Sequence, residues 1–344
     1  MSTALRQLAA ERILILDGAM GTMIQSLGLD EEDYRGTRFE SWNCDVRGNN
    51  DLLNLSQPDA VTAIHLAYFR AGADIVSTNT IASSRIAQAE YGMADIAYEL
   101  NGAGARLARE AAIIAQHEDG RPRFVAGVIG PTNRSASISP GVSHASLRPI
   151  TFEELRITYR EQARGLLDGG VDTLLIETIF DAVNAKAAMV ACTEIMDERG
   201  LNVPLMISAT INSSGRLFSG QTPETLWDSV AREAPFSIGL NCGYGARHMR
   251  DPIGALARVA GSLICAYPSA GLPDEFGRYN DSPETIAALI GEFADAGIVN
   301  IVGGCCGTTP AHIRAIAAAV AGKLPRRLPD NPARGNLPMS VDLA

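Results

Sequence analysis

Three times in this chain a helix-like run ends in small residues that include glycine, passes through an acid or amide, and enters an apolar run. The three are Ala71-Gly-Ala-Asp74 before Ile75-Val-Ser77, Gly169-Gly-Val-Asp172 before Thr173-Leu-Leu-Ile-Glu177, and Ala296-Gly-Ile-Val-Asn300 before Ile301-Val302. Glycine ends a helix in the left-handed conformation, and a buried strand follows directly. Helix starts recur too: Thr222-Pro-Glu-Thr225 and Ser282-Pro-Glu-Thr285 match, and Thr151-Phe-Glu-Glu154 is a capping box. The chain therefore reads as repeated α/β units. Completing the series places strands near Ile13, Ile75, Val125, Leu174, Leu205, Ile238, Leu263 and Ile301, each followed by a helical stretch. Strands apolar along their whole length are covered on both faces, as in parallel sheets. Eight such units predict a single-domain α/β fold, a (β/α)8 TIM barrel, rather than an open doubly wound sheet.

No linker divides the units, and the barrel is expected to span residues 1–322. From residue 323 prolines 325, 329, 332 and 338 occur without period among Arg326, Arg327 and Gly335, which predicts a Pro-rich extended tail over 323–344. A net charge of −10 over 344 residues, with no cluster of Lys and Arg, argues against a nucleic-acid partner. Ile13-Leu-Ile-Leu16 is too short for a signal peptide, and no run approaches the roughly 20 apolar residues that span a bilayer. A cytoplasmic protein without membrane contact is expected. Residues 28–57 form a long polar stretch of the kind that carries function or lacks order.

In a cytoplasmic chain the six cysteines are not expected to pair as disulfides, so their positions matter more. Cys192 in a helical run and Cys265 in a strand read as small core residues, and Cys44 in a polar loop has no firm assignment. The others sit at strand ends. Phe236-Ser-Ile-Gly-Leu-Asn-Cys242 is a strand delivering a thiol at its C-terminal end, and Ile298-Val-Asn-Ile-Val-Gly-Gly-Cys-Cys-Gly-Thr-Thr-Pro310 is a strand, a corner with two thiols and a capped helix start. On a barrel rim, Cys242, Cys305 and Cys306 can meet although more than sixty residues separate them. Three thiolates with one open position suit catalytic Zn²⁺. A structural zinc with an unseen fourth ligand, a redox-active vicinal pair, and plain core cysteines remain open on spacing alone. Asp17-Gly-Ala-Met-Gly21 after the first strand is either a tight turn or an acid beside backbone N–H groups that face a ligand.

Leu16-Asp-Gly-Ala-Met-Gly-Thr-Met23, Gly127-Val-Ile-Gly-Pro-Thr-Asn133, Ile176-Glu-Thr178, Gly239-Leu-Asn-Cys242 and Gly303-Gly-Cys-Cys-Gly-Thr-Thr-Pro310 together carry a resemblance. They look like the homocysteine-binding module of cobalamin-dependent methionine synthase, within the homocysteine S-methyltransferase family, and run over residues 10–325. That resemblance implies a (β/α)8 barrel in which Cys242, Cys305 and Cys306 bind Zn²⁺ and the homocysteine sulfur takes the fourth position as a thiolate that attacks a methyl group. It also implies that Asp17 and Glu177 pair with the homocysteine ammonium while backbone N–H groups of Gly18, Ala19 and Met20 take its carboxylate.

The chain departs from the family pattern in two places. Ser77 stands before Thr78-Asn79-Thr80 where an acid is usual, removing a charge from the rim; Pro268-Ser-Ala-Gly271 replaces the usual Pro-Asn-Ala-Gly, removing an amide near the metal. Methionine synthases of this type carry further folate, cobalamin and reactivation modules. None of His65, His117, His144, His248 or His312 has the Asp two positions earlier that the cobalamin-binding motif requires. The expectation is a stand-alone subunit that methylates homocysteine from methylcobalamin on a separate folate- and cobalamin-binding partner chain, supported by similarity through Pro131-Thr-Asn-Arg-Ser-Ala-Ser-Ile-Ser139. Use of a small donor such as betaine or S-methylmethionine is the alternative enzyme, and a non-catalytic zinc-bearing interaction subunit the alternative of another class.

Overall fold

The computed structural model describes residues 2–135, 148–275 and 277–329. Eight parallel strands form the barrel: β1 Leu14–Ile15, β2 Ile75–Ser77, β3 Phe124–Ile129, β4 Thr173–Ile179, β5 Leu205–Ala209, β6 Ser237–Cys242, β7 Leu263–Pro268 and β8 Ile301–Val302. Neighbours in sequence are neighbours in the sheet, β1 lies beside β8, and a parallel bridge from Leu16 to Ile75 closes β1 onto β2. The eight-unit expectation holds strand for strand. Helices return the chain between them: α1 Ser2–Glu11 precedes β1, and α2 Met20–Ser26, α3 Pro58–Arg70, α4 Ala97–Asp119, α5 Phe152–Gly169, α6 Ala182–Glu198, α7 Pro223–Val230, α8 Ala246–Val259, α9 Pro283–Asp295 and α10 Pro310–Val320 follow. Among the described residues no helix is long and apolar enough to cross a membrane.

The strands lack visible alternation because both faces are apolar and buried. Leu14, Leu16, Phe124, Ala126, Val128 and Met206 point into the barrel, where Leu5 and Ala9 of α1 join them. Ile13, Ile15, Val125, Leu174, Ile207 and Ile264 face the helices instead. Cys265 lies in the inner cluster and Cys192 in the outer one, both fully buried, as expected of core cysteines. Close approach of β6 to β7 requires Gly239, where a Cβ would lie 1.8 Å from the Cys265 carbonyl oxygen.

The repeated acid or amide before a strand has one structural meaning. Asp74 N donates to Ile15 O (2.7 Å) while its carboxylate accepts from Ile15 N (2.9 Å). Asp172 repeats the pair on Val125 (2.9 and 2.8 Å), and Asn300 repeats it on Ile264 (2.8 and 2.8 Å). At its N-terminal edge the barrel thus satisfies backbone groups of one strand with the residue that leads into the next. Asp74 also accepts both forks of Arg12 at 2.7 and 2.8 Å and is almost wholly buried. Asp74→Ala takes the carboxylate away from Ile15 N and Arg12, so we expect a loss of about 3 kcal/mol in urea unfolding; an unchanged midpoint would contradict this role.

Residues 323–329 carry no regular secondary structure, but this part of the expected tail is anchored. The buried Arg326 guanidinium donates to Ala257 O (2.7 Å), Ala260 O (2.6 Å) and Ser262 O (3.0 Å), and Asn300 Nδ2 donates to Arg326 O (2.8 Å). The first two carbonyls lie at the end of α8, where helical partners run out. Residues 330–344 of the tail, and residues 136–139 of the stretch beginning at Pro131, lie outside the described residues.

Candidate metal and substrate site

The cysteine corner after β8 is held from several sides. Cys305 N donates to Pro268 O (2.8 Å), Ala270 N donates to Cys306 O (2.8 Å), and the Thr308 hydroxyl donates to Cys305 O (2.6 Å). This places Cys305 and Cys306 opposite Cys242, the last residue of β6. The three Sγ atoms lie within 4.8 Å of one another, with Cys242 and Cys306 at 3.5 Å. A tetrahedral Zn²⁺ at about 2.3 Å from three thiolates spaces them about 3.8 Å apart, so this donor set fits a metal in number, softness and spacing. The Cys306 thiol is pulled down to about 3 because Cys242 and Cys305 donate to its sulfur. Cys305 is pushed well up by its contacts with Cys242 and Cys306 and by burial. Cys44 lies outside the cluster and donates to Tyr91 O at 3.2 Å.

Two carboxylates face the same cavity, which measures about 670 Å³ and is lined by Asp17, Glu177, Tyr267, Cys305 and Cys306 among others. Asp17 follows β1 and accepts from Ser77 N at 2.8 Å. Burial pushes its carboxyl well up, and the charge of Glu177 adds to this. Glu177, in β4, accepts from the Tyr267 hydroxyl at 3.2 Å and is pushed up to about 7, chiefly by burial. Among the described residues no basic side chain contributes to either shift. A ligand cation is what such a pair lacks.

The Gly18 to Met20 segment lies against the cysteine corner. Ala19 N donates to Thr308 Oγ1 (3.2 Å), and the Tyr68 hydroxyl is 3.0 Å from Ala19 O and 3.2 Å from Thr308 O. A Cβ on Gly18 would meet Thr308 Oγ1 at 2.7 Å, which is why this turn has glycine. One of the three amides expected to bind a carboxylate is thus engaged within the protein.

At the two departures from the family pattern, each serine has a partner. Ser77 supplies Asp17 with neutral hydrogen bonds from its amide and hydroxyl. Ser269 Oγ lies 3.1 Å from Gly243 O and 2.8 Å from Gly271 O, tying the loop after Cys242 to the loop after β7.

Other residues carried no sequence signal for this role. Tyr34, Arg47, Asn50 and Asp51 extend the cavity from the long polar stretch, which is folded into short helices such as Glu31–Arg35 and Leu53–Ser56. Asp51 accepts from Ala82 N and the Ser83 hydroxyl, and burial raises it to about 7. Tyr279 lines the same cavity as Cys306 and helps to lower its thiol. Its ring packs over Gly307, where φ is +80° and a Cβ would lie 2.3 Å from Tyr279 Cβ. Thr178 and Cys242 hold φ of 58° and 57°, a conformation costing about 1–3 kcal/mol in each non-glycine residue, and both adjoin the site.

A family model described as homocysteine S-methyltransferase matches residues 14–320. Among solved structures, the metallated form of the homocysteine methyltransferase MmuM from Escherichia coli aligns with a TM-score of 0.71 at 23% identity, covering 91% of this chain and 98% of that one. Its oxidized form gives 0.70 at 23% identity with coverage of 91% and 98%, and its apo form 0.67 at 23% with 91% and 97%. These likenesses agree on the barrel.

Proposed function

The chain belongs to the homocysteine S-methyltransferase family and is a methyltransferase; from that premise we propose a zinc-dependent enzyme that transfers a methyl group to the sulfur of homocysteine, giving methionine. The observation that carries the metal is the meeting of Cys242, Cys305 and Cys306 within 4.8 Å. Bound by these thiols, Zn²⁺ would supply Lewis acidity that keeps the substrate sulfur ionised near neutral pH while leaving it nucleophilic. The substrate ammonium falls to Asp17 and Glu177, which have no basic side chain acting on them among the described residues and lie on the same cavity as the thiols. Its binding restores the charge that burial opposes in both carboxylates. With Ala19 N engaged by Thr308, the substrate carboxylate is assigned to the amides of Gly18 and Met20.

For the methyl donor we favour methylcobalamin presented by a separate folate- and cobalamin-binding chain, on the strength of the motifs shared with the methionine synthase module. A small donor has one observation on its side: about 670 Å³ is more room than one small amino acid needs, and Tyr34, Arg47 and Asp51 line its extension. A reducing, cytoplasmic setting accords with three free thiols at a metal site. The test is to measure zinc per chain and homocysteine methylation with methylcobalamin, betaine and S-methylmethionine in parallel. Turnover with methylcobalamin, stimulated by a cobalamin-carrying protein, is expected. Turnover with a small donor alone would transfer the assignment to that donor, and absence of bound zinc in active protein would remove the metal.

A further inference from the structure

The buried side chain of Asn241 touches both halves of the site. Its Oδ1 accepts from Thr178 N (3.1 Å) and from the Ser208 hydroxyl (2.8 Å), while its Nδ2 donates to Thr178 Oγ1 (2.8 Å) and faces Cys305 Sγ at 3.8 Å. Thr178 directly follows Glu177, and Asn241 directly precedes Cys242. Thr178 and Cys242 are two of the three non-glycine residues with positive φ among the described residues. β-Branched threonine is especially ill suited to that conformation, which persists only where its surroundings impose it. The two hydrogen bonds between Thr178 and the Asn241 side chain, one accepted by Oδ1 and one donated by Nδ2, impose it at the end of β4, and the same residue enters the left-handed turn at the end of β6.

We propose that Asn241 is a positioning residue that couples the two subsites: it orients Glu177 through Thr178 and steadies the thiol cluster through Cys242 and Cys305. This rests on the zinc and ammonium assignments above and adds a residue to them. The two ends of the amide differ in what they reach. Its oxygen accepts from the Thr178 backbone beside Glu177, and its NH2 group, which also meets Thr178 Oγ1, is the end that faces sulfur. Partners behind metal ligands contribute about 10–100-fold to metal affinity when removed.

The experiment first establishes zinc content and homocysteine KM for the unaltered protein, so that failure of the underlying assignments shows there and not in the variants. Asn241→Ala is then expected to weaken zinc retention against a competing chelator by about 10–100-fold and to raise homocysteine KM by about 10-fold. Asn241→Asp keeps the oxygen that accepts from Thr178 N, lets the Thr178 hydroxyl donate to the second oxygen, and removes the N–H that faces Cys305. It is expected to weaken zinc retention while leaving KM near that of the parent. This second variant decides the matter if the alanine variant does not fold. In a Thr178→Gly background, where the left-handed conformation carries no penalty, Asn241→Ala should raise KM much less. A lower melting temperature with unchanged zinc retention and KM would overturn the proposal by reducing Asn241 to a core residue. Equal KM effects in both backgrounds would overturn the coupling through Thr178.

Discussion

Cys306→Ala protein is expected to emerge folded, with zinc lost to a mild chelator and homocysteine methylation reduced by about 10³-fold or more. Cys306 accepts from Cys242 Sγ at 3.5 Å, and its thiol is lowered by its contacts with Cys242 and Cys305. Its removal would leave two of the three thiols that the proposed zinc site requires. The substrate thiol then returns to an ordinary pKa near 8.5, so only a few per cent is ionised at pH 7. Loss of fixed orientation multiplies that deficit. Circular dichroism should be unchanged, because Cys306 side-chain atoms lie at the rim and not in either core cluster. An active variant retaining one zinc per chain would defeat the ligand assignment.

Glu177→Gln is expected to act on substrate binding and leave zinc content alone. Homocysteine KM should rise about 10- to 100-fold, the loss of a partly buried charge-assisted pair. The pH dependence follows from the carboxyl being raised to about 7. In the parent, KM should climb as pH falls through about 7 and Glu177 takes up a proton. The variant has no proton to lose there, so this part of its profile should be flat.

Stability of the substrate-free protein runs the opposite way. Glu177 binds its proton more tightly folded than unfolded, where it titrates near 4.5. The folded state is therefore favoured below that range and loses stability as pH rises from about 4.5 to 7. Above pH 7 the glutamine variant should be more stable than the parent by about 2 kcal/mol, a figure discounted for the partial exposure of Glu177. Denaturant titration at pH 5 and pH 8 checks the sign. A parent more stable at pH 8, with no gain in the variant, would show that Glu177 is an ordinary solvated acid.

Much of the fold was legible because its causes are local. A glycine that ends a helix, a capped helix start and an apolar run of strand length each act within a few residues, so eight units could be counted along the chain. The three strand-end cysteines were visible for the same reason, since a barrel brings the C-terminal ends of its strands to one rim. Residues 28–57 gave no sign of their short helices or of the part that Tyr34, Arg47 and Asp51 take in the cavity. Residues 323–329 looked like free linker, whereas Arg326 is anchored by carbonyls from residues 257–262, contacts that composition cannot encode.

By itself, the sequence determined the barrel through residue type and spacing, and pointed to the family and to the candidate thiols and acids through the motifs it shares with that family. Only the tertiary structure decided how these groups act on one another. It put Asp17 and Glu177 on one cavity, engaged Ala19 N with Thr308, and joined Thr178 to Asn241 across sixty-three positions of chain. Burial, hydrogen-bond partners and shifted proton affinities are set by what lies within a few ångströms in space, and on a closed barrel those neighbours come from strands far apart in sequence.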